Sequence, residues 1–186
     1  MAVRDAIMGI DASLTHSGVS IVCVDDSTHI ERTCVPKTMG VQRLIYIEDW
    51  FKILMEEINC KLCYNIKYVV MEGYAYTPRF GQAFSLGELG GILKRFFYLQ
   101  KISLLTVQPQ TLKKFLTGIG KGDKNMILLK TFRKYNVEFD SDHVCEAFGL
   151  AMIGKAIYDI SNNKKDIKQF FEYEQEVIKL IGKQIK

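Results

Sequence analysis

Met8–Val22 reads MGIDASLTHSGVSIV: an apolar run closes on an acid, a turn of small polar residues follows, and a second apolar run begins. Residues 6–12 (AIMGIDA) and 17–24 (SGVSIVCV) are short, rich in β-branched side chains and bounded by Ser, Gly and Asp, so both are predicted strands. A third run of the same kind at about 28–35 completes a three-stranded meander. Asp11 closes the first strand of this meander, which puts a carboxylate at the edge of a sheet rather than within it.

Outward from the meander the period changes. Leu44, Ile47, Phe51, Leu54, Met55 and Ile58 follow a helical stripe between Gly40 and about Cys60. Residues 67–72 (KYVVME) form an apolar run ending in Glu72, as a buried parallel strand does. A helix is predicted from Phe80 to Leu99, although Gly81, Gly87, Gly90 and Gly91 each cost its interior about 1 kcal/mol against alanine. Such glycines imply close approach of another helix or of a partner subunit. A strand at 102–107 (ISLLTV), a helix begun by Pro109 and running to about Leu116, and a break at Gly118–Gly122 come next. Helices are predicted at 123–135, 141–159 and 166–181, the last after the turn SNNKK. The order is α/β: a mixed five-stranded sheet, three antiparallel strands then parallel ones, flanked by helices.

The 186 residues are 48% hydrophobic and 25% charged, which suits a folded globular chain read as one domain over 1–186, with 162–186 a C-terminal helical extension. No stretch approaches the roughly 20 apolar residues of a membrane span, and MAVRDAIMGI lacks the apolar segment of a signal peptide, so a cytoplasmic protein is expected. A net charge of +4 is compatible with a polyanionic partner without demanding one. The five cysteines are expected to be reduced: only Cys60 and Cys63 form a CxxC, with no second ligand pair for a structural zinc.

The residues able to do chemistry are acids. Asp11 and Glu72 end two strands, and if those strands are neighbours their carboxylates converge. In SDHVCEAFGLAM, Asp142, His143 and Glu146 share one helical face at spacings of three and four. Taken singly, each has an ordinary reading: Asp11 a turn residue, Glu72 a strand-end acid, and the helical group a solvated face. Taken together, carboxylates held close repel one another and call for a cation, and hard oxygen ligands favour Mg²⁺ or Mn²⁺.

MGIDASLTHSGVSIV resembles the opening strand and turn of the RuvC family of Holliday junction resolvases, whose fold is RNase H-like. VVMEG resembles the family's second acidic strand, SLGELGGIL its Leu-Gly helix, and SDHVCEAFGLAMIG its C-terminal catalytic helix. QPQTLKKFLTGIGKGDK resembles its strand-to-helix stretch, whose two functional lysines fall on Lys113 and Lys124. The resemblance spans about residues 6 to 158, in the family's order. It implies a homodimeric, Mg²⁺-dependent endonuclease of DNA recombination and repair, with Mn²⁺ able to substitute, that cuts opposing strands of a four-way junction by two-metal phosphodiester hydrolysis. Asp11, Glu72, His143, Glu146 and Lys124 are then the catalytic set, Asp11, Glu72 and Glu146 the metal ligands with Asp142 a competitor, and Lys113, Lys124, Tyr74, Tyr76 and Arg79 the DNA contacts. The resemblance departs in two places. Glu146 stands where the family carries aspartate, and the aromatic expected near the second acid is displaced to Tyr74 or Tyr76.

Three other readings remain. One is a related nuclease of flaps, forks or RNA–DNA hybrids. Another is a non-catalytic junction-binding protein, should glutamate at 146 disable metal binding. The last is a sugar-kinase-like ATPase, suggested by GIDAS but disfavoured by a chain too short for two domains.

Overall fold

The computed structural model describes residues 2–73 and 80–185, apart from the side chains of 80–83. Tyr74, Tyr76 and Arg79 lie outside the described residues. In chain order the elements are β1 (Arg4–Asp11), β2 (Ser17–Cys23), β3 (His29–Cys34), α1 (Gly40–Glu56, continued by a wider turn at Glu57–Lys61), β4 (Tyr64–Glu72), α2 (Phe80–Leu99), β5 (Ser103–Val107), α3 (Pro109–Thr117), α4 (Lys124–Tyr135), α5 (Asp142–Ser161) and α6 (Glu172–Gly182).

Among the described residues the strands form one sheet in the order β3-β2-β1-β4-β5. β1–β2 and β2–β3 pair antiparallel, while β1–β4 and β4–β5 pair parallel, the mixed arrangement that the order of elements predicts. Strand periodicity sends alternate residues to opposite faces. Ala6, Met8 and Ile10 of β1 therefore enter a core with Ile47 and Phe51 of α1 and Leu93 and Phe97 of α2. Ile7 enters the other core, with Leu112 of α3, Phe148 and Ile153 of α5 and Ile178 of α6. Each fully buried side chain of this size contributes about 1.5–3 kcal/mol.

α5 lies unusually close to the sheet, and two glycines permit it. A Cβ on Gly9 of β1 would stand 1.9 Å from the Ala147 carbonyl oxygen, and one on Gly18 of β2 would stand 2.3 Å from that of His143. Only hydrogen at these positions lets the first turns of α5 rest on β1 and β2.

Two elements differ from expectation. β4 begins at Tyr64 rather than 67, because residues 64–66 pair with Arg4–Ala6 ahead of a register shift between Ala6 and Ile7. The expected helix at 166–181 is two pieces. Asp166 caps a short 3-10 turn at Ile167–Gln169, and α6 starts afresh where the Phe171 N–H donates to Glu174 Oε2 at 2.8 Å. Phe171 is 65% exposed, whereas Val177, Ile178 and Ile181 are buried. The buried Glu174 pairs with the Lys134 ammonium, which also donates to the Phe115 carbonyl at 2.8 Å, tying α6 to α4 and α3. Past α6 the Gln184 amide turns onto the outer edge of β5: Thr106 N–H donates to Oε1 at 2.9 Å and Nε2 donates to the Thr106 carbonyl at 2.8 Å.

Candidate active site

β1 and β4 are neighbours, and their last register pair, Ile10 with Met71, leaves Asp11 and Glu72 as the next residues along two parallel strands. The period of two puts Asp11 on the same face as Ile7 and Gly9, and Glu72 on the same face as Val70; this is the face that α5 covers. Both acids thus end at one edge of the sheet, beneath the first turns of α5. Ser141 caps that helix by accepting from the His143 N–H at 3.2 Å, and Glu146 follows one turn in.

Oxygen atoms of Asp11, Glu72 and Glu146 all lie within 4.8 Å of one another. Asp11 is 5% exposed, and its Oδ2 stands 2.6 Å from His143 Nδ1. His143 thereby bonds to one member of the cluster from its outer side. Asp142 does not join the cluster: its carboxylate is engaged by the Lys124 ammonium. Lys113 sits on α3, where its Nζ donates to the Gly122 carbonyl at 3.4 Å. Of the candidate residues described, the structure therefore brings together Asp11, Glu72, His143 and Glu146, and sets Asp142 with Lys124 as a separate pair at the rim.

The cluster's electrostatics follow from its burial. Desolvation, then the negative charges of Asp11 and Glu146, push the Glu72 carboxyl up to about 8. Glu146 is raised for the same reasons, burial first and then Asp11 and Asp142, while Lys113 pulls both acids back. His143 is raised by its hydrogen bond to Asp11. Asp142 is lowered and Lys124 raised by their mutual bond. Three close carboxylates that resist ionising together are an arrangement a divalent cation relieves, and an all-oxygen donor set suits a hard one. The residues present fit such an ion.

His16 was not legible as a site residue. Its ring lies 5.0 Å from that of His143, on a loop in which Ser13 N–H donates to Ser17 Oγ at 3.0 Å and Ser17 Oγ donates to the Ser13 carbonyl at 2.7 Å. The signal available was weak: a histidine in a Ser/Thr-rich turn next to a candidate acid. With Lys124, Asn125, Asp142 and His143, it lines an open hollow of about 450 Å³ beside the cluster.

No protein-family model matches the chain. Among curated proteins, the crossover junction endodeoxyribonuclease RuvC of Chlamydia trachomatis is 27% identical over 168 residues, covering 88% of this chain and 98% of its own. That of Chlamydia muridarum is 26% identical over 171 residues at the same coverage, and that of Orientia tsutsugamushi 23% over 149 residues, covering 76% of this chain and 92% of its own. Among solved structures, Thermus thermophilus RuvC superposes with a TM-score of 0.63 at 15% identity over 85% of this chain and 96% of that one. The same protein in complex with a Holliday junction substrate gives 0.62 at 17% identity, covering 79% and 90%. The chain is thus similar to RuvC proteins over nearly their whole length, and it shares the fold of Thermus thermophilus RuvC.

Proposed function

We propose that this protein is a divalent-metal-dependent, structure-selective DNA endonuclease that resolves four-way junctions by paired phosphodiester hydrolysis. The observation carrying this reading is the convergence of Asp11, Glu72 and Glu146 at one sheet edge, beneath a helix that glycines allow onto the sheet. Asp11, Glu72 and Glu146 would hold Mg²⁺, or Mn²⁺ in its place, and the bound ion supplies Lewis-acid stabilisation of a phosphoryl group and an activated water. The chain's own residues do the rest. His143, fixed by Asp11, orients water or phosphate at the cluster, because neutral imidazole suits Mg²⁺ poorly as a ligand. Lys113 and Lys124 set positive charge beside the acids, where phosphate charge has to be offset.

Paired cuts need two sites, so we take the working form to be a homodimer, with branched DNA as its partner and the bacterial or phage-infected cytoplasm as its setting. α2 is the proposed interface. A Cβ on Gly87 or Gly91 would meet open space, and Phe84 is 72% exposed on the same helix, so a second helix can approach closely. Residues 1–186 are taken as one nuclease unit whose extension, 162–186, is held by the Lys134–Glu174 pair. Among the described residues no helix is long and apolar enough to cross a membrane.

The test is incubation with a synthetic four-way junction and Mg²⁺, mapping cuts on all four strands beside flap, fork, hybrid and duplex controls. Symmetric nicks on two opposing strands of the junction support the reading. Equal or better cleavage of a flap or hybrid replaces it with a relative of different selectivity, and junction binding without cleavage in any divalent metal replaces it with a binding protein.

A further inference from the structure

Asp142 and Lys124 each begin a helix, α5 and α4 respectively, and meet side chain to side chain across the hollow beside the cluster. The two ends of this pair are unlike. The Asp142 side chain is 24% exposed and stands on the capped first turn of a helix pressed against the sheet. Lys124 is 70% exposed and follows a segment in which Gly118 and Gly122 adopt positive φ. The carboxylate is thus the fixed partner and the lysine the one being placed.

Holding a long side chain in one position costs rotamer entropy, and isolated surface pairs return little of it. This pair has another role open to it. The cluster's negative charge attracts Lys124 only while the charge is unbalanced; once a divalent cation balances it, the lysine is left with a like-charged neighbour. Asp142 lies outside the oxygen group, so its charge is not consumed there, and it remains to keep the ammonium near.

We propose that Asp142 is a positioning residue, and not a metal ligand: its carboxylate holds the Lys124 ammonium at the rim of the Asp11–Glu72–Glu146 cluster, facing the hollow through which a phosphate enters. The inference rests on the reading of that cluster as the cleavage site. It explains an acid at 142 in addition to a full set of three in the cluster.

The experiment compares Asp142→Asn, Lys124→Ala, the double variant, Asp142→Glu and Glu146→Gln. In single-turnover cleavage of a four-way junction, Asp142→Asn and Lys124→Ala are each expected to slow the reaction on the order of ten- to a hundredfold, the usual loss from misplacing a group. The double variant is expected to be no slower than the worse single, and Asp142→Glu to restore much of the rate. Mn²⁺ binding without DNA, followed by electron paramagnetic resonance, is expected to stay within about twofold in Asp142→Asn and to weaken about tenfold or more in Glu146→Gln. A third readout does not need cleavage. In ¹³C-lysine-labelled protein, bound Mn²⁺ should broaden the Lys124 Cε signal in the wild type and much less in Asp142→Asn.

Rate losses that multiply in the double variant, or Mn²⁺ affinity that falls in Asp142→Asn as in Glu146→Gln, overturn the proposal. So does a Lys124 signal that Asp142→Asn leaves unchanged. Failure of the wild type to cut any branched DNA would overturn the cleavage reading instead, while the metal-binding and lysine signals would still decide what Asp142 does.

Discussion

Asp11 is the most constrained acid of the cluster, buried at a strand end with one oxygen bonded to His143. Neutral isosteres keep that shape and remove the charge, so Asp11→Asn and Glu72→Gln are expected to lower cleavage by about a thousandfold or more. Junction binding, measured in Ca²⁺, should stay within about tenfold. Near-wild-type turnover by either variant in Mg²⁺ would remove the cluster from the reaction. At position 146 reach matters as well as charge: Glu146→Gln is expected to abolish activity, while Glu146→Asp retains a measurable fraction because a shorter carboxylate can still face Asp11 and Glu72. Equal loss in both would mean that the site requires the full length of glutamate as well as its charge. Asp11 and Glu72 were legible because each ends an apolar run, and a run that closes on an acid can be read without knowing its neighbours. Which of Asp142, His143 and Glu146 turns inward was not, since spacings of three and four give all of them one helical face. The answer depends on Lys124, 18 positions away in sequence and adjacent only after folding.

Among the elements, α5 does most to assemble the site, and its seat on the sheet depends on two glycines. Gly18→Ala would set a methyl group 2.3 Å from the His143 carbonyl, so the first turn of α5 has to lift. The expected result is a loss of about 1–3 kcal/mol in denaturant unfolding, together with cleavage reduced beyond what that loss explains, because His143 and Glu146 ride on the displaced turn. A variant as stable and active as the wild type would mean that α5 repacks freely. Period and punctuation disclosed most elements here: an alternating run, the Pro109 start and the glycine break are each signals contained within a short stretch of sequence. The C-terminal helix was misjudged because its break carries no Gly or Pro. Phe170 and Phe171 fit a helical stripe, and only the bond from the Phe171 N–H to the Glu174 carboxylate reveals a new start. The start of β4 at Tyr64 was equally hidden, since its first residues are strand only by pairing with β1.

For the molecule as a whole, the cluster makes stability depend on pH. Glu72, raised to about 8, Glu146 and His143 all hold protons more tightly folded than unfolded. The folded state therefore binds the extra protons, and stability is lost as pH rises through the window that opens near the ordinary carboxylate value of 4.5 and closes at about 8. Metal-free protein in EDTA is expected to melt about 5 °C or more lower at pH 8 than at pH 5.5, and Mg²⁺ at pH 8 to recover most of the difference. A melting temperature flat across this range, or unmoved by Mg²⁺, would contradict the raised acids. On the β5 edge of the sheet, the Gln184 amide makes with Thr106 the two bonds that a neighbouring strand would make. A side-chain amide is a peptide group in miniature, so the tail supplies a one-residue sixth strand that ends the sheet. Exposed strand edges recruit other chains, and this stopper occupies the position from which such growth would begin. Gln184→Ala is expected to leave the fold and the cutting site intact, yet to show concentration-dependent association beyond the wild-type oligomer in light scattering, as open backbone groups of β5 find partners in other molecules; an unchanged scattering profile at high concentration would mean that the edge is guarded by something else.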